Sequence, residues 1–171
     1  MTSHPDCAAD VIETPRLTLV PLRVEHAAEM AAVLADQRLH EFIGGVPATE
    51  QELRARYERL VAGPSGWHNW VLRLRADGRL TGYVQATVDE GTAEIAWVIG
   101  VPWQGRGLAA EAARALVAWC DAQGIGTVVA HVHPDHAASA AVAARAGLHA
   151  TDLVHDGETR WERRHPLPSR C

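Results

Sequence analysis

Trp103-Gln104-Gly105-Arg106-Gly107-Leu108-Ala109-Ala110-Glu111-Ala112 is the stretch on which the fold turns. Two closely spaced glycines precede an alanine-rich segment, where Leu108, Ala112, Leu116, Trp119 and Cys120 keep helical spacing until Gly124. Upstream, residues 92–100 are almost wholly apolar, and Glu94 is the one ionisable side chain between Ala93 and Ile99. The segment therefore reads as strand, glycine turn, helix. Glycine lets backbone N–H groups approach an anion with no Cβ in the way. A helix start adds unpaired donors and partial positive charge, and Arg106 can add a charge-assisted contact. The result is a phosphate cradle made of backbone, or equally a tight turn that binds nothing. A dinucleotide fold would want a third spaced glycine. A nucleotide P-loop would need a Gly-Lys-Ser/Thr end, and the chain contains no lysine.

Outward from this stretch, the periodicity alternates between strands and helices. Arg16 to Leu22 alternates as a first strand, and Glu25 to Leu34 is helical. Gly44 and Gly45 break the chain. Thr49 with Glu52 three residues on signals a capping box before a helix carrying Leu53, Tyr57, Leu60 and Val61. A meander follows over 69–75, 79–88 and 92–100, with turns at Asp77-Gly78 and Glu90-Gly91. The apolar run of the third strand suggests cover on both faces. Then come the glycine loop and its helix, a strand at 127–132, a helix at 135–146 stopped by Gly147, and a hairpin over 148–165. Residues 1–13 read as a flexible N-terminal tail, 14–166 as a single domain and 167–171 as a C-terminal tail. The class is mixed α/β, one sheet with helices on its faces.

Composition narrows the function. The length of 171 residues suits one domain with a full core. With 47% hydrophobic and 22% charged residues, disorder is not expected. A net charge of −5 without a basic run weighs against nucleic acid, and suits a cationic partner. Cys7, Cys120 and Cys171 are too scattered for a disulfide framework or a metal knuckle. No apolar stretch is long enough to cross a bilayer, and the first residues lack a signal-peptide pattern. A soluble cytoplasmic protein, away from membranes, is expected.

Gln104-x-x-Gly107-x-Ala109 resembles the Gln/Arg-x-x-Gly-x-Gly/Ala signature of the GNAT superfamily of acetyltransferases. The opening Glu13-Thr14-Pro15-Arg16-Leu17-Thr18-Leu19 and the later Ser139-Ala140-Ala141-Val142-Ala143-Ala144-Arg145-Ala146-Gly147-Leu148 are similar to its ribosomal-protein N-acetyltransferase-like branch. The resemblance runs through residues 12 to 165 in order and spacing. It implies a GNAT-like fold: a central, mostly antiparallel seven-stranded sheet with a V-shaped splay, flanked by about four helices. It also implies acetyl-CoA as co-substrate. Its pantetheine arm would lie along Val98, Ile99 and Val101, and its pyrophosphate on the backbone of Gln104, Gly105, Arg106, Gly107, Leu108 and Ala109.

The implied reaction is direct acetyl transfer to a primary amine, on a small molecule or a protein N-terminus. Such an amine must lose a proton, because its pKa of about 10 leaves it mostly charged at neutral pH. Glu94 is the candidate base, on the expectation that burial raises its pKa; a carboxylate paired with an arginine, or facing solvent, is the competing reading. By resemblance, the Val98 N–H would meet the oxyanion. Many family members carry a tyrosine acid at the position of Ala143 here, so that acid is absent. His136 stands where an asparagine is often found. Ser139 could hydrogen-bond the leaving sulfur, or simply satisfy backbone groups of its own helix. His131, His133 and His136 could gather a metal, but no carboxylate or thiolate pattern completes the set, so no metal is expected. Residues 36–46, with Phe42, would wall the acceptor side; Trp67, Trp70, Tyr83 and Gln85 face the same groove or belong to the core. Arg160, Arg163 and Arg164 read as a solvated strand face. A non-catalytic acyl-CoA sensor of the same fold is the alternative. Monomer and homodimer both remain open.

Overall fold

The structure, a computed structural model, describes residues 10–165. In chain order the elements are β1 (Ile12–Glu13), β2 (Leu17–Pro21), α1 (Ala27–Val33), α2 (His40–Ile43), α3 (Glu50–Val61), β3 (Trp67–Leu74), β4 (Leu80–Asp89), β5 (Thr92–Ile99), α4 (Leu108–Ala122), β6 (Thr127–Val132), α5 (Ala137–Arg145), β7 (His149–His155) and β8 (Glu158–Arg164). They form one eight-stranded sheet in the order β1-β2-β3-β4-β5-β6-β8-β7. Every neighbouring pair is antiparallel except β5 and β6.

Local chemistry explains most boundaries. Thr49 Oγ1 accepts the Glu52 N–H at 3.1 Å and starts α3. Glu90 and Asp156 take positive φ angles, 46° and 48°, ahead of glycines that also have positive φ, as two-residue hairpin turns require. Two elements go beyond the sequence reading, giving eight strands and five helices rather than seven and four. The strand β1 is held by partners far away in sequence. Ile12 pairs with Leu19, and Trp70 Nε1 donates to the Asp10 carbonyl at 2.8 Å. Ordered structure therefore begins before residue 14, while the remainder of the expected N-terminal tail and the whole C-terminal one lie outside the described residues. The helix α2 has four residues, too few to show a period.

Two apolar clusters hold the sheet. Beneath α4 and α5, Leu17, Leu19, Trp70, Leu72, Val84, Ile95, Leu116, Val128 and Leu148 form the larger one. On the opposite face, α1 and α3 pack on Val71 and Leu80. That second cluster takes no residue from β5, β6, β7 or β8. The strand β5 is therefore not covered on both faces as its apolar run suggested: Ala93, Ile95 and Ile99 are buried, whereas Glu94 and Ala96 are exposed. This leaves a length of sheet open to solvent beside the point where β5 and β6 meet. Leu116 is fully buried between α4 and the sheet. Leu116→Ala should lower the unfolding free energy in urea by roughly 2–5 kcal/mol; a loss near zero would show that α4 is not packed this way.

Candidate active site

The site is built on a parting of strands. The β5–β6 ladder has three pairs, Thr92↔Thr127, Ala93↔Val128 and Glu94↔Val129. Beyond it, β5 keeps its pairing with β4 up to Ile99, and β6 keeps its pairing with β8 up to Val132. Each strand follows its other neighbour, and the sheet opens into a V. Along the opening neither strand pairs with the other, so backbone polar groups there lack a ladder partner. Val98, Ile99 and Val101 lie along the β5 side of this slot and the short 3₁₀ turn that follows it.

The loop 104–109 closes the same end of the strand. Gln104 Nε2 donates to the Ile99 carbonyl at 3.0 Å, fastening the loop to the end of β5. Gly105 and Gly107 both adopt φ of +76°, a left-handed conformation that costs other residues about 1–2 kcal/mol. Gly107 caps α4 with no side-chain acceptor, so the first N–H groups of that helix remain free for an anion. Gln104, Gly105 and Arg106 are exposed, Gly107 and Ala109 half-buried, and Leu108 buried.

One brace of this loop escaped the sequence reading. Arg16, just before β2, donates from Nη1 to the Arg106 carbonyl at 2.7 Å and from Nε to Glu111 Oε1 at 2.8 Å. Its own N–H and the Thr14 hydroxyl both reach Glu111 Oε2, at 2.9 and 2.6 Å. Burial alone would raise the Glu111 carboxyl, but the hydrogen bonds from Thr14 and Arg16 outweigh it and hold it below its ordinary value. It therefore stays ionised at neutral pH, in the first turn of α4 where a negative charge is favoured. The threonine and arginine of the 13–19 motif are thus the struts of the glycine loop. No local pattern reveals this, because the partners stand more than ninety residues apart.

Glu94 projects from β5 on the face away from α4, and its side chain is 57% exposed. The burial expected to make it basic is therefore absent. Its partner is a histidine rather than an arginine: His131 Nδ1 lies 2.9 Å from Glu94 Oε1. A carboxylate only accepts, so Nδ1 carries the hydrogen and Nε2 keeps a lone pair in the neutral ring. At α5 the tautomer is reversed. His136 Nδ1 accepts the Ser139 N–H at 3.1 Å and caps the helix, which places the hydrogen of the neutral ring on Nε2, 3.2 Å from Ser139 Oγ. Burial, and then the nearby His133, lower the His136 pKa and favour that neutral form. The Ser139 oxygen accepts from His136, leaving its own hydrogen to give. The Ser139 hydroxyl is thus bonded to the imidazole of His136, the residue that caps the same helix. Phe42 of α2 lies over this group, its ring 4.1 Å from His136 and 5.6 Å from His133.

Other expectations are redistributed. Among the described residues, no three His, Cys, Asp or Glu side chains stand together as a metal site, and the three histidines take separate partners. Trp70 is a core residue with no exposure, whereas Tyr83, Gln85 and Val98 belong to the face that carries Glu94. The three arginines of β8 are not a free basic face. Arg163 forms a two-pronged pair with Asp121 at 3.0 and 2.8 Å, and Arg160 and Arg164 both hold Glu162.

Residues 16–149 match the family model described as "Acetyltransferase (GNAT) domain". Among curated proteins, none matches the chain. Among solved structures, an acetyltransferase from Agrobacterium tumefaciens shares 26% identity at a TM-score of 0.77, over 92% of this chain and 96% of that one. RimL, a ribosomal alpha-N-protein acetyltransferase in complex with coenzyme A, superposes with a TM-score of 0.80 at 17% identity, over 93% and 100% of the two chains. The aminoglycoside acetyltransferase AAC(6′)-Ib, in complex with acetyl-CoA, gives 0.77 at 16% identity, over 89% and 95%. The last two speak to fold alone, but the family match spans most of the chain. The chain belongs to the GNAT acetyltransferase family and is an acyltransferase.

Proposed function

We propose that the protein transfers an acetyl group from acetyl-CoA directly to a primary amine. The observation that carries this reading is the combination of three features along the β5–β6 opening: unpaired strand edges, a helix start with free N–H groups at its wide end, and an ionisable pair on the open face at its foot. The strand edges suit the amide groups of a pantetheine arm, which would run along Val98, Ile99 and Val101. The N–H groups of Gln104 to Ala109 suit the pyrophosphate, with Arg106 on the exposed side of the loop. The Val98 N–H, the oxyanion donor that the resemblance implies, faces Tyr83 across the β4–β5 ladder, as the Gly100 N–H two residues on faces the Thr81 carbonyl at 2.7 Å; the Ile99 N–H, on the slot edge, is the donor placed for a developing oxyanion. Ser139, with its hydrogen free to give and no tyrosine at position 143, is the donor for the leaving sulfur. Glu94 is the carboxylate on which removal of the amine proton depends.

Direct attack is consistent with the state of the one cysteine among the described residues. Cys120 is buried in the α4 core, and burial pushes its thiol up to about 12, so it is no nucleophile at neutral pH. The acceptor approaches from the open sheet face, with residues 36–46 as its wall and Phe42 above the α5 start. In that wall, the His40 ring lies with its nitrogens 3.1 and 3.3 Å from the Leu34 and Gly44 carbonyls, beside a cavity of about 230 Å³ lined also by Ile43, Leu53 and Arg56. A small-molecule amine and a protein N-terminus both suit such a face, and the net charge of −5 favours a cationic one.

Two experiments test the reading. Purified protein is given acetyl-CoA and a panel of amines: short peptides with free N-termini, an aminoglycoside and a diamine. Thiol release should depend on one of these amines and fall about a hundredfold or more in Glu94→Gln, with coenzyme A affinity unchanged. Equal release in Glu94→Gln would remove the carboxylate from the chemistry. Separately, Arg16→Gln should weaken coenzyme A binding about tenfold, equivalent to about 1.4 kcal/mol, because it frees the Arg106 carbonyl and leaves the Glu111 charge unpaired beside the phosphates. Adding Glu111→Gln should recover part of that loss. Unchanged binding in Arg16→Gln would mean that the brace does not shape the loop.

A further inference from the structure

His131 is placed by the fold where a proton acceptor is needed. Glu94 and Val129 form the last pair of the β5–β6 ladder, and His131 lies two residues further along β6 on the same face. The Glu94–His131 hydrogen bond at 2.9 Å therefore spans the foot of the V from one strand to the other. An acyl group lying in the slot and an amine arriving from the open face would meet beside it.

The division of exposure between the two side chains is informative. Glu94 is 57% exposed and His131 only 16%. The imidazole is the more sheltered of the two, and its Nε2 makes no hydrogen bond among the described residues. This is the arrangement in which a carboxylate fixes a histidine's tautomer and supports the charge the ring acquires, while the far nitrogen does the proton transfer. Other groups facing His131 are accounted for. Arg160 lies directly across on β8, and Glu162 holds it at 3.2 Å. The His155 ring of β7 is 5.5 Å away and is paired with Asp156 at 3.3 Å. His133, on the same side of the chain, has Asp135 and Phe42 as partners. Among the described residues, Glu94 is thus the one carboxylate hydrogen-bonded to the His131 ring.

We propose that His131, held in its Nδ1–H tautomer by Glu94, is the group that takes the proton from the acceptor amine, with Glu94 as its positioning residue. The proposal rests on the acetyl-transfer reading of the slot. His131 Nε2 takes one proton from the ammonium and becomes imidazolium against the Glu94 carboxylate. The freed nitrogen lone pair forms the N–C bond to the acyl carbon. The C–S bond breaks with its electron pair passing to sulfur. The nitrogen gives up a second proton, which balances the thiolate as thiol with the Ser139 hydroxyl as relay, and the imidazolium returns its proton to solvent.

The test has a kinetic and a spectroscopic arm. With the most active amine of the panel, kcat/KM should fall about a hundredfold in His131→Asn, and the acid limb of its pH profile should disappear or move. Imidazole added to His131→Ala should restore part of the rate, and coenzyme A affinity should be unchanged in both variants. In the wild-type protein, ¹⁵N NMR of the histidines near neutral pH should show His131 protonated at Nδ1 and bare at Nε2, and Glu94→Gln should weaken that preference. A His131→Asn enzyme within about threefold of wild type, while Glu94→Gln is inactive, would overturn the proposal and leave Glu94 as the base. The opposite tautomer would overturn it independently of any acceptor. Absence of coenzyme A binding in the wild type would instead count against the reading of the slot itself.

Discussion

Three residues into their run side by side, β5 and β6 stop sharing a ladder, and most of what the molecule can do follows from that. Each strand remains fully paired on its other side, β5 with β4 and β6 with β8, so the sheet is two rigid leaves joined at Thr92 to Glu94. An opening between paired leaves is preorganised: its unpaired edges cannot collapse together without breaking the ladders outside them. The hinge of the V is also where Glu94 sits. The same constraint thus sets out a polar slot for an extended ligand and puts a carboxylate–imidazole pair at its foot.

The glycine loop depends on a second, long-range constraint. Left-handed Gly105 and Gly107 turn the chain from the end of β5 into α4. The direction of that turn is held from outside, by Arg16 on the Arg106 carbonyl and by Gln104 on the Ile99 carbonyl. With the Arg106 carbonyl taken up by Arg16 and no side-chain cap on α4, the first N–H groups of the helix have no partner among the described residues. The Glu111 carboxylate completes the brace: it neutralises Arg16 in place and favours the helix start, and Thr14 keeps it ionised. Loop and scaffold are therefore one electrostatic unit, joined where the start of β2 meets the first turn of α4.

Sequence made the order of elements legible because the periods are strong. The alternation of β3 to β5, the spacing of Leu108 to Cys120 and the turn residues at Glu90-Gly91 and Asp156-Gly157 each follow from local physics. It did not show β1, whose two residues are held by Leu19 and by the contact of Trp70 with Asp10. Nor did it show that Glu94 is exposed: an apolar run reads the same whether its second face is covered or open. The likeness of the loop picked out residues 98–109, which the fold places at the end of β5, in the turn after it and at the start of α4. What stayed out of reach were the pairings across the fold. His131 appeared as one of three histidines in a possible metal set, Arg16 as part of an opening motif, and the β8 arginines as a solvated stripe. His131, Arg16 and Arg163 have their partners on other elements, and a one-dimensional pattern carries no information about that; Arg160 and Arg164 share Glu162 of their own strand.

The central claim is that the β5–β6 opening and the loop 104–109 together hold acetyl-CoA. Amide hydrogen exchange, followed residue by residue with and without acetyl-CoA, tests it most directly. The account predicts new protection at Gly105 to Ala109 and along the slot edges from Val98 to Val101, with little change in β2, β3 or α3. Protection confined to other elements, or none at saturating acetyl-CoA, would contradict it.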